Sequence, residues 1–251
     1  MLNIAKKPDS YFPIGALLVN YKKKEPAFFI KERQLISNYN LSAVDIQSTP
    51  LANWYNRILK RLFDIILSIV VIVMVLSWLI PIIGLIKFIS GEKGLFFIQN
   101  RNGYKDYPFS IIKFRTMKKN GFSDTKPATR DDARITKIGR FLRRTSIDEL
   151  PQFFNVLIGN MSVIGPRPHM NQHDKEFKAI VKKYMFRHTV KPGISGYAQV
   201  NGHRGEIRGL KDMKQRIEFD VTYIENWSVW FDIKIVILTI VKLLKGDSSA
   251  Y

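Results

Sequence analysis

From Ile65 to Ile86 the chain runs for 22 residues without a charge, IILSIVVIVMVLSWLIPIIGLI, and this stretch constrains the fold more than any other. At about 1.5 Å rise per residue, such a helix can cross a hydrocarbon core about 30 Å thick. The run begins too far along the chain, and is too long, for the apolar core of a secretory signal. A helix buried in a soluble domain of this size normally keeps a polar face, and this one has none. The run therefore predicts contact with a bilayer.

Its flanks bear on orientation. Arg57, Lys60 and Arg61 precede it, and Lys87, Lys93 and Arg101 follow it. Positive residues beside a membrane helix favour the cytoplasmic side. Both ends ask for the same side, which a helix that enters and returns satisfies and a simple crossing does not. Pro81 makes a break feasible, because it removes the hydrogen bond to the Ser77 carbonyl and kinks the helix. The Ser77 or Trp78 side chains are placed to help satisfy the freed backbone. A kinked spanning helix is the other reading, and the flanking charges alone leave both open. Asp64, three residues after Arg61 and four after Lys60, reads as a paired residue at the interface.

The charge balance narrows the partners. Across 251 residues there are 40 Lys and Arg against 21 Asp and Glu, a net charge of +19, which calls for a polyanion: nucleic acid, anionic membrane or phosphate-rich substrate. Between Ile111 and Thr145 lie 11 basic and 3 acidic residues. The chain has no cysteine, which excludes disulfides, thiolate metal sites and a cysteine nucleophile.

The remaining pattern reads as helix-rich α+β. Residues 1–56 form an N-terminal extension with no assigned role, 57–90 the membrane helix and 91–251 a compact domain. Residues 91–117 read as short strands broken by Gly91, Gly94 and Gly103, and Ile138–Leu142, 149–158 and 172–187 as helices. Lys191–Gly202, KPGISGYAQVNG, is punctuated like a loop or β-turn segment. Two amphipathic helices are expected near 211–225 and 229–245, the second with Trp227, Trp230 and Phe231 at its start. It suits either a membrane interface or the domain core.

Among residues that could do chemistry, Asp148 and Glu149 stand side by side in RRTSIDELPQ. Ser146-x-x-Glu149 also matches a capping box. Pro151 opposes that reading, because it would fall past the first turn, where its missing N–H matters. A helix beginning nearer Leu150 would leave both carboxylates at its mouth, kept ionised by neighbouring guanidinium groups. An ionised Asp is a competent nucleophile toward phosphorus, and a second carboxylate can hold Mg²⁺. Lys113 and Arg115 flank Phe114 and would share one face of a strand, spaced to grip a diphosphate. Arg167, between Pro166 and Pro168, sits on a stiff turn and loses little entropy on binding phosphate. His169 and His173 have the i,i+4 spacing of a zinc helix, but Met170 stands where a general-base Glu is needed and no third ligand is evident. Neither GxxxxGK[ST] nor GxGxxG occurs.

Together these segments resemble the bacterial monotopic phosphoglycosyl transferases. The resemblance rests on KRLFD (Lys60–Asp64), FIQNRNG (Phe97–Gly103), KFRTM (Lys113–Met117), DDARITKIGRFLRRTSIDELPQ (Asp131–Gln152), GPRP (Gly165–Pro168) and KPGISGYAQVNG. The ending RIEFDVTYIENWSVWFDIKI, with Ala250–Tyr251, is similar to the glucose-1-phosphate transferase branch. The resemblance implies a re-entrant membrane helix broken near Ser77 and Pro81, and a catalytic domain on the cytoplasmic face of the inner membrane. It also implies Mg²⁺ at Asp148 and Glu149, a UDP-sugar donor and an undecaprenyl phosphate acceptor. Asp148 would be the nucleophile and Glu149 its metal-associated partner. Substrate phosphates would be bound by Lys113, Arg115, Arg144, Arg167, Gln99 and Arg101.

The expected activity is transfer of hexose 1-phosphate, glucose or galactose, to the lipid phosphate, starting exopolysaccharide or capsule assembly. Two features depart from the family's pattern: large members carry several spans upstream, and the usual Ser-Pro break is Ile80–Pro81 here. The rival reading is a membrane-tethered basic module binding nucleic acid or anionic lipid. It leaves the carboxylate pair unexplained, and no nucleic-acid partner is expected.

Overall fold

The computed structural model describes residues 48–118, 132–169, 177, 181, 183–205, 207 and 209–245. Most of the extension and of the helix expected over 172–187 lies outside them.

The apolar run lies within one helical stretch, Trp54–Ile89, with a mean hydropathy of 3.0 over its most apolar window. It comprises α1 (Trp54–Val71), a π-helical turn (Ile72–Leu76) and α2 (Ser77–Ile89). Asn53 caps its start, accepting a hydrogen bond from the Tyr55 N–H at 2.9 Å. One stripe is buried along almost its whole length: Lys60, Asp64, Ser68, Leu76, Leu79, Ile83 and Lys87. Spacings of four overrun a 3.6-residue turn, so the stripe would drift around a regular helix. The π turn takes in an extra residue and returns the stripe to the domain.

Ser77 Oγ donates to the Val73 carbonyl at 2.6 Å and Trp78 Nε1 to the Met74 carbonyl at 2.7 Å. These two side chains do serve backbone carbonyls, but those of the π turn and not that of Ser77.

The polar members of the stripe are paired across the fold, as buried charge requires. Lys60 Nζ lies 2.8 Å from Asp232 Oδ2, and Asp232 also accepts hydrogen bonds from the Tyr223 hydroxyl at 2.7 Å and Trp227 Nε1 at 3.1 Å. Asp64 makes no ion pair with Lys60 or Arg61, contrary to the expectation from spacing. It is 2 % exposed, and its Oδ1 accepts hydrogen bonds from Ser162 Oγ and the Val163 N–H, both at 2.9 Å. Spacing on a helix gives proximity, but burial of this face turned the carboxylate toward the next layer. At the other end Lys87 Nζ reaches the Arg115 carbonyl at 2.9 Å and Glu92 at 2.7 Å.

β1 (Phe96–Asn102) and β2 (Pro108–Phe114) form an antiparallel hairpin that pairs Phe97 with Lys113, Gln99 with Ile111 and Arg101 with Phe109. Residues directly opposite share a face, so Gln99, Arg101 and Lys113 lie together. Then come α3 (Lys137–Arg144), a 3₁₀ turn (Ile147–Glu149) and α4 (Gln152–Ile158). Asn155 locks α4 to the hairpin, accepting from the Ile112 N–H at 2.9 Å and donating to the Ser110 carbonyl at 2.7 Å.

β3 (Ser162–Ile164) and β4 (Gly193–Ser195) are parallel, and α5 (Tyr197–Val200) follows. The segment expected as a loop or β-turn is therefore a strand and a helical turn. Its glycines serve close packing: a Cβ on Gly193 would stand 2.1 Å from the Gly165 nitrogen, and one on Gly196 would stand 2.3 Å from the Gly165 oxygen. The GPRP and KPGISG motifs thus meet backbone to backbone.

α6 (Leu210–Glu225) and α7 (Val229–Lys245) close the fold. The two amphipathic candidates divide. α6 is a core helix, burying Met213, Ile217, Val221 and Ile224, whereas α7 buries only Asp232 and Ile235 and exposes Trp230, Ile237 and Leu244. That exposed face adds to the apolar surface of the helical stretch Trp54–Ile89, where Ile66, Val73, Met74, Leu85 and Phe88 are also exposed.

Candidate active site

Asp148 and Glu149 occupy the 3₁₀ turn between α3 and α4, with Pro151 as the cap residue of α4. They stand just before the helix mouth, as Pro151 suggests. Ser146 is left-handed, at φ 58°, and its buried hydroxyl makes no cap bond, so no capping box forms.

The two carboxylates have opposite surroundings. Glu149 is buried and ringed by cations: Lys113 Nζ at 2.9 Å, both terminal nitrogens of Arg167, and Arg204 at 3.5 Å. Burial alone would raise its pKa, but Arg167, Lys113 and Arg204 hold the carboxyl well below the usual range. Asp148 is half-buried and, among the described residues, makes no hydrogen bond or ion pair. Burial first, and the Glu149 charge second, push it up to about 6 against the pull of Lys113, Arg143 and Arg167. Burial also lowers Lys113, with Glu149 opposing. The turn thus offers one carboxylate that fixes cations and one that is unengaged.

Arg167 is held from behind. Arg187, 4 % exposed, donates to the Arg167 carbonyl at 2.6 Å, pairs with Asp220 at 3.0 Å and touches His169 Nδ1 at 2.5 Å. His169 also meets the Tyr184 hydroxyl at 2.9 Å, so its ring serves this cluster; His173 lies outside the described residues. Among the described residues no group of three or more His, Cys, Asp or Glu could hold a metal.

The other expected phosphate ligands divide. Gln99 and Arg101 lie on the Lys113 face and bond each other at 2.5 Å. Arg115 does not reach the pair: it donates to the Phe96 carbonyl at 3.1 Å and lies over the Phe97 ring. Arg144 is exposed at the end of α3, while Arg143 acts on Asp148 and donates to Thr116 Oγ1 at 2.8 Å. Arg143 and Arg204 are the cations that sequence reasoning missed. Arg143 stood in the same RR pair, and Arg204 closely follows the KPGISGYAQVNG motif.

Beside Glu149 opens a cavity of about 280 Å³. Leu67, Val71 and Val75 from the apolar helix and Val236, Ile240 and Leu243 from α7 form apolar walls, while Glu149, Arg204 and Lys242 supply charge. The site is therefore continuous with the apolar surface.

Comparison with known proteins identifies the family. The family described as bacterial sugar transferase matches residues 55–246. The UDP-glucose:undecaprenyl-phosphate glucose-1-phosphate transferase of Escherichia coli K12 is 46% identical over 217 residues, covering 86% of this chain and 46% of that protein. The Caulobacter vibrioides protein of the same name is 42% identical over 192 residues, covering 76% of this chain and 71% of that protein. An Aeromonas hydrophila UDP-N-acetylgalactosamine-undecaprenyl-phosphate N-acetylgalactosaminephosphotransferase is 40% identical over 189 residues, covering 75% and 44%. The chain spans about half the length of several of the curated relatives it matches. A family match over most of the chain, joined to a carboxylate pair among cations beside an apolar helix, places this protein in the bacterial sugar transferase family.

Proposed function

We propose that this chain transfers a hexose 1-phosphate from a UDP-sugar to undecaprenyl phosphate on the cytoplasmic face of the inner membrane, starting exopolysaccharide or capsule assembly. The observation that carries the reading is the unengaged Asp148 carboxylate beside a Glu149 that gathers Lys113, Arg167 and Arg204. Asp148 attacks the sugar-bearing phosphorus; a P–O bond forms and the P–O bond to UMP breaks, UMP leaving with the electron pair. An oxygen of the lipid phosphate then attacks the same phosphorus, and the Asp148–phosphorus bond breaks to restore the carboxylate. Such transfer depends on positioning and charge neutralisation, which the three cations supply. The cavity walls suit an isoprenoid chain, with Arg204 and Lys242 near its phosphate.

Mg²⁺ fits this donor set only in company with substrate. The chain offers two carboxylates, one of them already shared among cations, and Mg²⁺ takes one or two carboxylates plus phosphate oxygens. When bound at Asp148 and Glu149 it would neutralise diphosphate charge. The basic surplus is read as serving phosphates and lipid, with no nucleic-acid partner.

The helix is read as re-entrant. Support comes from its two ends, since Lys60 and Lys87 are both buried against the same folded unit, so its flanks stay on one side. The relatives' names pair UDP with glucose or N-acetylgalactosamine, so UDP is the shared part and the sugar here is taken as glucose or galactose.

The test is trapping: with radiolabelled UDP-glucose or UDP-galactose and no acceptor, label should remain covalently on the wild-type chain and not on Asp148→Asn. Product formation without label on Asp148 would overturn the mechanism.

A further inference from the structure

A second cationic site lies away from the carboxylate pair. Arg61 on α1 and Lys191, just before β4, converge on Gly159, which ends α4 in a left-handed conformation at φ 106°. A Cβ there would stand 3.6 Å from Arg61 Nη2 and 3.7 Å from Lys191 Nζ. Arg61 donates to the Val156 and Leu157 carbonyls at 2.6 and 2.8 Å, satisfying the end of α4. Lys191 is then surplus to the fold, since among the described residues its ammonium makes no hydrogen bond or ion pair.

The nearby charges do not neutralise it. Lys60 is paired with Asp232, while Asp64 attracts Lys191 but commits Oδ1 to Ser162 and Val163. Burial, with Arg61 and Lys60, lowers the Lys191 pKa, whereas an anion there would raise it.

Apolar surface surrounds the pair. Ile158 is 69% exposed, Leu62 50% and Ile58 47%, and the exposed Arg57 lies one turn before Arg61. Cations rimmed by exposed apolar side chains match the boundary between headgroups and acyl chains. Neither Arg61 nor Lys191 lines the cavity beside Glu149.

We propose that Arg61 and Lys191 bind the phosphate of an anionic glycerophospholipid, at a site separate from the reaction centre. The site shares with the functional reading only the premise that the exposed apolar face meets lipid. It would hold the start of the apolar helix at the headgroup layer.

Native mass spectrometry of the full chain released from detergent, with phosphatidylglycerol, phosphatidylcholine or inorganic phosphate added, tests this. The wild type should retain phosphatidylglycerol over phosphatidylcholine. Lys191→Gln should weaken retention about tenfold, the scale of one lost charge-assisted contact, while Lys191→Arg keeps it. Lys211→Gln, a charge removed on α6, should change nothing. Equal retention of both lipids, equal losses in Lys191→Gln and Lys211→Gln, or displacement by millimolar inorganic phosphate would each overturn the proposal. UMP release in micelles should be the same for Lys191→Gln and wild type, so failure here is separable from failure of the transferase reading.

Discussion

At the scale of single residues, two neighbouring carboxylates are made different by what surrounds them. Glu149 is held negative by three cations, while Asp148 carries the cost of burial and of Glu149's charge, and its pKa is pushed up to about 6. The sign of the consequence follows. Between the ordinary carboxylate pKa and about 6 the folded chain holds a proton on Asp148 that the unfolded chain has lost. Native stability contributed there falls as pH rises through that window. In the proposed mechanism the nucleophilic form is the ionised one, so initial UMP release should fall about tenfold per pH unit below 6 and level off above it. At pH 8, Asp148→Asn should abolish turnover while raising the melting temperature by about 2–4 °C in a thermal-shift assay, because it removes a charge whose burial the nearby cations offset only in part. A fall in melting temperature would argue against the electrostatics described. The pair itself was legible in the sequence, as were Lys113 and Arg167. Arg204 was not, because no local period aims a side chain across the fold, and Arg115 was misplaced because its guanidinium folds back over Phe97.

At the scale of elements, periodicity revealed α3, α4, α6 and α7 but not β4 and α5. Gly and Pro in KPGISG look like loop punctuation, and nothing local says that the glycines exist to meet Gly165. Their contact has a sharp test. Gly193→Ala would push a methyl to within 2.1 Å of the Gly165 nitrogen, backbone that cannot swing aside as a side chain can. The expected cost is about 3 kcal/mol or more, read as a large loss of melting temperature, with Arg167 displaced and UMP release lost. Normal melting would mean that the two motifs do not touch. The π-helical turn was equally invisible, since it answers a drift in the buried stripe that appears only once the domain is in place.

At the scale of the whole molecule, the long apolar helix and the basic surplus were both legible. The layer joining them was not. Lys60, Asp64 and Lys87 look like flanking charges in the sequence, but each is buried and hydrogen-bonded within the fold. Orientation can be read directly because the chain lacks cysteine. Single cysteines placed at the exposed Ala52 and Lys93, on either side of the apolar run, should both resist a membrane-impermeant maleimide in intact cells and react after permeabilisation. Labelling of either one from outside would mean that the helix crosses.

A free transmembrane helix tilts to suit the thickness of the lipid around it. One fastened to its own domain at Lys60, along Leu76 to Ile83, and again at Lys87 has lost that freedom. Helix and reaction centre must rise or sink as one body. On the membrane reading proposed above, the altitude of Asp148 over the lipid phosphates is set when the chain folds, and remodelling the acyl chains of the bilayer should leave it unchanged.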